Sequence, residues 1–161
     1  MQLENYLLEK AYQYLARRDH SCRELRQKLS KALKRHKHWQ HADREEAEAA
    51  MNSTLDELME RGYLDDARFA LNFVQNRIDH KPRSPYFIRQ ELREKGVEDS
   101  IIEQVCMELD LDSLATEMAR RLAAKKEPGL AHLPADKRRE KLIRFLKGKG
   151  FVYGDIMDAL G

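Results

Sequence analysis

Three clusters in this chain hold residue types able to do chemistry. His36-x-His38-x-x-His41, with His20 and Cys22 earlier in the sequence, offers imidazole and thiol donors for a metal ion. Structural zinc sites set tighter Cys/His pairs on defined turns, so the stretch reads as a solvated basic linker without metal. Trp39 within it is expected to pack over a helix end. Asp19-His20-Ser21 contains the three residue types of a hydrolytic triad, but sequence neighbours cannot form the relay geometry that nucleophile, base and acid require. Asp65-Asp66 pairs carboxylates just after Tyr63, as an acid–base site would. Consecutive Asp residues at a helix start instead act as N-cap and partner of the helix dipole, and are read so here. There is no Gly-x-x-x-x-Gly-Lys-(Ser/Thr) loop and no His-Glu-x-x-His motif. The expectation is a protein that is not an enzyme and needs no cofactor.

The elements around these clusters announce themselves by how they end. Leu58-Met59-Glu60-Arg61-Gly62-Tyr63, Leu92-Arg93-Glu94-Lys95-Gly96-Val97 and Leu146-Lys147-Gly148-Lys149-Gly150-Phe151 all read Leu-x-x-(Lys/Arg)-Gly-apolar. The Leu closes a core-facing stripe, and the cation meets the negative end of the helix dipole. Glycine takes the left-handed conformation without a steric penalty, so the next apolar residue folds back. Helix starts are equally legible. Ser21-x-x-Glu24 is a capping box, Asp43-x-x-Glu46 opens another helix, Asp65 or Asp66 a third, and Ser84-Pro85 supplies a cap with proline behind it. The apolar spacing predicts nine helices. The first covers about residues 3–17, with Leu8, Ala11 and Leu15 inward, and Glu127-Pro128-Gly129 breaks the seventh. No segment alternates as a strand would, so the fold class is all-α.

Composition narrows the classes further. With 42% apolar and 36% charged residues over 161 positions, the chain has room for a core and many charged faces. No apolar run nears the roughly 20 residues of a membrane span, and the N-terminus lacks a signal-peptide core. Cys22 and Cys106 are too few and too far apart for a disulfide framework, so a cytoplasmic protein with no membrane partner is expected. The charges alternate in blocks. Residues 17–44 carry ten Lys/Arg and three Asp/Glu, residues 45–66 one and eight, and residues 119–150 eleven and three. Sign segregating by whole helices suggests a basic stripe facing a polyanion or an acidic groove.

Grouping the helices in threes gives repeats over residues 1–62, 63–109 and 110–161. The second helices align as Arg23-Glu24-Leu25-Arg26-Gln27-Lys28, Gln90-Glu91-Leu92-Arg93-Glu94-Lys95 and Arg144-Phe145-Leu146-Lys147-Gly148-Lys149. Arg26, Arg93 and Lys147 share the position after the Leu and are the strongest candidates for partner contact. Lys28, Lys95 and Lys149 share the next basic position, where closing a helix C-terminus and binding a partner both fit. Arg23, Arg89 and Arg144, in or beside these segments, complete the candidate set. Tandem arrays of this kind curve into extended concave surfaces.

Four stretches are more specific. Leu15-x-x-Arg18-x-His20-Ser21-x-x-Glu24-Leu25-x-x-Lys28-Leu29, Gly62-Tyr63-Leu64-Asp65-Asp66-x-Arg68-Phe69, Ile88-x-x-Glu91-Leu92-x-x-Lys95-Gly96 and Arg144-Phe145-Leu146-x-x-Lys149-Gly150-Phe151 resemble, in order and over nearly the whole chain, the bacterial RecX family. The chain departs from the family pattern at Lys149, where arginine is commoner, and in its long His-rich first linker. The resemblance implies three tandem three-helix units forming an elongated, curved body. It also implies a regulator that binds along the groove of the RecA–single-stranded DNA filament; separately, a monomer is expected. Such a regulator suppresses RecA's ATP hydrolysis, strand exchange and coprotease activity. RecA and its filament are thus the implied partners, with single- or double-stranded DNA as a further one. The alternative is a helical module that binds nucleic acid directly, without RecA.

Overall fold

Side-chain caps decide where several of these helices begin, and glycines or loops decide where they stop. The structure is a computed structural model that describes residues 2–161, and it is helical throughout. It has nine α-helices and two short 3-10 turns, with no strand among the described residues. The chain divides into two compact units. One comprises the stretch up to Ala70 with Lys95–Glu98, the other Leu71–Glu94 with Asp99–Gly161.

In the first unit, α1 (Gln2–Leu15) packs against both α2 (Cys22–Arg35) and α3 (Arg44–Glu60). The Ser21 hydroxyl accepts the Glu24 amide at 3.1 Å, and the Glu24 carboxylate accepts the Ser21 amide at 3.2 Å, so the capping box forms as expected. Asp43 opens α3 by accepting from the Glu45 and Glu46 amides. Leu25, Leu29 and Leu33 of α2 meet Met51, Leu55 and Leu58 of α3 in the buried core. The first helix departs from expectation. Leu3, Leu7 and Ala11 are buried, Leu8 and Leu15 only flank them, and the helix stops at Leu15. The expected and observed stripes share Ala11 and both satisfy a 3.6-residue period; packing selects between them.

Gly62 ends α3 in the left-handed region at φ 75°. The Tyr63 amide returns to the Leu58 carbonyl at 2.9 Å and the Gly62 amide to that of Met59 at 3.0 Å. Tyr63 stays exposed with its ring edge-on to Tyr12, and Leu64 is the buried residue instead. The two aspartates that follow cap two different helices. Asp65 accepts the Ala67 and Arg68 amides at 2.9 and 3.1 Å, opening α4 (Asp66–His80). Asp66 accepts the Cys22 amide at 2.8 Å, serving the first turn of α2.

The second unit holds α5 (Pro85–Glu94), α6 (Asp99–Glu108), α7 (Ala115–Lys126), α8 (Ala135–Gly148) and α9 (Tyr153–Leu160). Ile88, Leu92, Ile102, Met118, Leu146 and Ile156 are fully buried there, with α7 against α8 and α9. Ser84 caps α5 by accepting the Phe87 amide at 3.1 Å. Arg121 of α7 donates to the carbonyls of Ile78 and Asp79, closing the last turn of α4. Glu127-Pro128-Gly129, expected as a break, forms a 3-10 turn over Glu127–Leu130.

One joint occurs twice. The buried Ser21 hydroxyl donates to the Lys95 carbonyl at 2.6 Å, beside Gly96 at φ 79°, where a Cβ would lie 2.6 Å from the Arg23 Cβ. Ser84, the corresponding cap of α5, lies against Gly150 at φ 86°, where a Cβ would lie 2.6 Å from its hydroxyl oxygen. In both places the capped start of one second helix receives the glycine stop of another. Both glycines are therefore required twice over, for their backbone angle and for the missing side chain.

Candidate functional site

The three cations expected at the partner surface each lean on the helix that follows. Arg26 of α2 reaches Glu48 at 3.5 Å and Asn52 on α3. Arg93 of α5 pairs with Asp99 on α6 at 2.7 Å. Lys147 of α8 holds its ammonium 5.8 Å from the centre of the Tyr153 ring on α9. One position thus carries a positively charged side chain three times, steadied by the next helix through a carboxylate, a carboxylate and an aromatic face. Arg26 and Arg93 remain 40% exposed, so their pairing leaves them open to solvent and to a ligand.

The position before the Leu gathers cations in pairs. Glu24 accepts Arg18 at 3.3 Å and Lys95 at 2.6 Å. Burial alone would raise its carboxyl; the hydrogen bonds from Lys95, Arg18 and the Ser21 amide outweigh that and hold it at about 2. Glu91 accepts Arg77 at 2.8 Å and Arg83 at 3.1 Å. In the third segment Phe145 replaces the carboxylate, and Lys126 and Lys149 stand 5.3 and 5.6 Å from its ring centre. Charge attraction gives way to cation–π attraction at the same place.

The other basic candidates divide by environment. Lys28 lies inside α2, which runs on to Arg35, so it closes no helix end; its ammonium sits 5.2 Å from the Tyr14 ring centre. The reason is Leu29, which stands where the other two segments have Gly96 and Gly150. Lys149 is the C-cap of α8, and Lys95 follows the end of α5. Arg89 is drawn in, with only 16% of its side chain exposed, held by Glu103 and Asp112 at 2.8 Å each. Those bonds, Asp112 first, raise its already high pKa and depress that of Asp112. Arg23 packs its chain against Gly96, whereas Arg144 stands largely in solvent with Glu140 at 3.9 Å.

The clusters with possible chemistry take structural places. His36 meets the Tyr6 ring at a tilt, 4.4 Å away, and stacks with Trp39 at 6.3 Å, and Trp39 packs onto the first core at the end of α2. His20 is buried, its Nδ1 on the Arg18 carbonyl at 2.9 Å and its Nε2 without a partner. Burial, then the charge of Arg18, lowers its pKa. The Ser21 hydroxyl turns to Glu24 and Lys95, away from any relay.

Comparison with known proteins agrees with this architecture. Residues 65–105 match the family description "RecX, second three-helix domain" and residues 115–160 match "RecX, third three-helix domain". The regulatory protein RecX of Vibrio parahaemolyticus is 38% identical over 152 residues, covering 94% of this chain and 88% of its own. That of Halorhodospira halophila is 36% identical over 151 residues, covering 92% and 83%. Among solved structures, RecX from Lactobacillus salivarius superposes with a TM-score of 0.74 at 22% identity, over 99% of this chain and 95% of that one. Sequence and fold together show that the chain belongs to the RecX family.

Proposed function

We propose that the protein is a non-catalytic cytoplasmic regulator of RecA. It binds the RecA–single-stranded DNA filament and inhibits ATP hydrolysis, strand exchange and coprotease activity by occupying the filament. The observation that carries this reading is the recurrence of Arg26, Arg93 and Lys147 at one position of three second helices, each steadied by the next helix. A filament presents the same surface many times, so units 1–62, 63–109 and 110–161 would engage successive protomers, each raising the effective concentration of the next. Lys28, Lys95, Lys149, Arg23 and Arg144 add positive charge around these contacts, while Arg89, neutralised by two carboxylates, holds α5 in place.

Equilibrium binding to three targets tests the reading: naked single-stranded DNA, RecA alone, and the assembled filament. The filament should be bound at least about tenfold more tightly than either component, a difference of 1.4 kcal/mol. Equal affinity for naked DNA would replace this reading with that of a direct nucleic-acid-binding module.

A further inference from the structure

Beside Arg26 the first unit contains a groove of about 410 Å³, within the usual range of ligand sites. Its apolar wall is Leu33, Trp39 and Met51, and its charged residues are Arg26, Lys34, Arg44 and the single carboxylate Glu48. Arg26 is satisfied by Glu48 and Asn52. Among the described residues, Lys34 and Arg44 have no ion-pair partner, and both are exposed. Trp39 is the only tryptophan of the chain, and its indole stacks with His36, whose ring meets Tyr6 at a tilt. The long linker between α2 and α3 therefore builds a pocket with an aromatic and aliphatic floor and two uncommitted cations at its rim.

We infer that this groove docks an acidic peptide segment carrying one bulky apolar side chain. Charge complementarity selects the acidic class, since three cations line the groove against one carboxylate, Glu48, which Arg26 already engages. The floor selects a peptide over a nucleotide. Leucine and methionine side chains accept an apolar side chain well but offer no flat platform for a base, and one face of the single indole is already taken by His36. An apolar residue rests on Trp39 and on the exposed edges of Leu33 and Met51, while its neighbouring carboxylates meet Lys34 and Arg44.

Trp39 fluorescence reads the groove directly. The probes are synthetic dodecapeptides of Asp and Glu with one central Phe, Leu or Ile, the same peptide without the apolar residue, and an oligothymidylate of equal charge. At least one apolar-centred peptide should shift the emission to the blue, and bind at least about tenfold more tightly than the all-acidic peptide. Lys34→Glu with Arg44→Glu should weaken that binding at least about tenfold, with an unchanged far-ultraviolet circular dichroism spectrum. Lys31→Glu with Lys37→Glu, on exposed cations outside the groove, should leave it within about twofold. Absence of any shift would overturn the assignment. So would equal loss in both double variants, which indicates diffuse attraction, or tighter binding of the oligothymidylate, which indicates a nucleotide site. The assay contains no RecA, so its outcome is separate from that of the filament reading.

Discussion

At the scale of single residues, Glu24 does the most. It closes the capping box of α2, pairs with Arg18, and ties Lys95 to the start of α2. Replacing it with Gln should cost about 1.5 kcal/mol, the low end for charged hydrogen bonds because Arg18 is half exposed. Its carboxyl is held at about 2 against an ordinary 4.5, so its contribution is complete above pH 4.5 and disappears as pH falls through about 2. The difference in thermal midpoint between wild type and Glu24→Gln should therefore shrink over that window; a pH-independent difference would mean the charge is not what matters. His20 gives a second acid-sensitive window. Its folded pKa is depressed, so the stability it permits is complete above 6.5 and is lost as pH falls through the depressed value. Thermal melts of His20→Phe should show a flatter decline below pH 6.5 than those of the wild type.

At the scale of elements, the sequence was legible wherever one local rule decided the outcome. Capping boxes, Asp and Ser caps and glycine stops needed only nearest neighbours, so α2, α3, α5 and the stops at Gly62, Gly96 and Gly150 appear as read. The inward face of α1 needed knowledge of what packs on it, and the sequence offered two stripes of equal period. The double role of Asp65 and Asp66 was hidden for the same reason, because the Cys22 amide that Asp66 caps lies 44 positions away. Likewise the repeated cations were visible, but their partners on the following helices were not. The three glycine stops look alike in sequence and differ in space. A Cβ at Gly62 meets nothing within 4 Å, whereas at Gly96 and Gly150 it strikes Arg23 and Ser84. Gly62→Ala should cost about 1–2 kcal/mol through its left-handed backbone alone. Gly96→Ala and Gly150→Ala should cost about 1–3 kcal/mol more through overpacking. Equal thermal midpoints for the three variants would contradict the duplicated joint.

At the scale of the whole molecule, the account rests on whether the three repeated cations act together on RecA. Arg26 and Arg93 sit beside Glu48 and Asp99, so reversal to Glu would set like charges against each other and confound folding with binding. Neutralisation to Gln keeps a polar, hydrogen-bonding side chain and removes the charge without introducing an opposite one. Surface pairs of this exposure contribute about 0–1 kcal/mol each, so the triple Gln variant should remain folded. The decisive measurement is the concentration of protein that half-inhibits RecA ATP hydrolysis on single-stranded DNA, compared between wild type and Arg26→Gln, Arg93→Gln, Lys147→Gln. The account predicts a rise of at least about tenfold, with far-ultraviolet circular dichroism unchanged. A folded triple variant that inhibits at the wild-type concentration would contradict it.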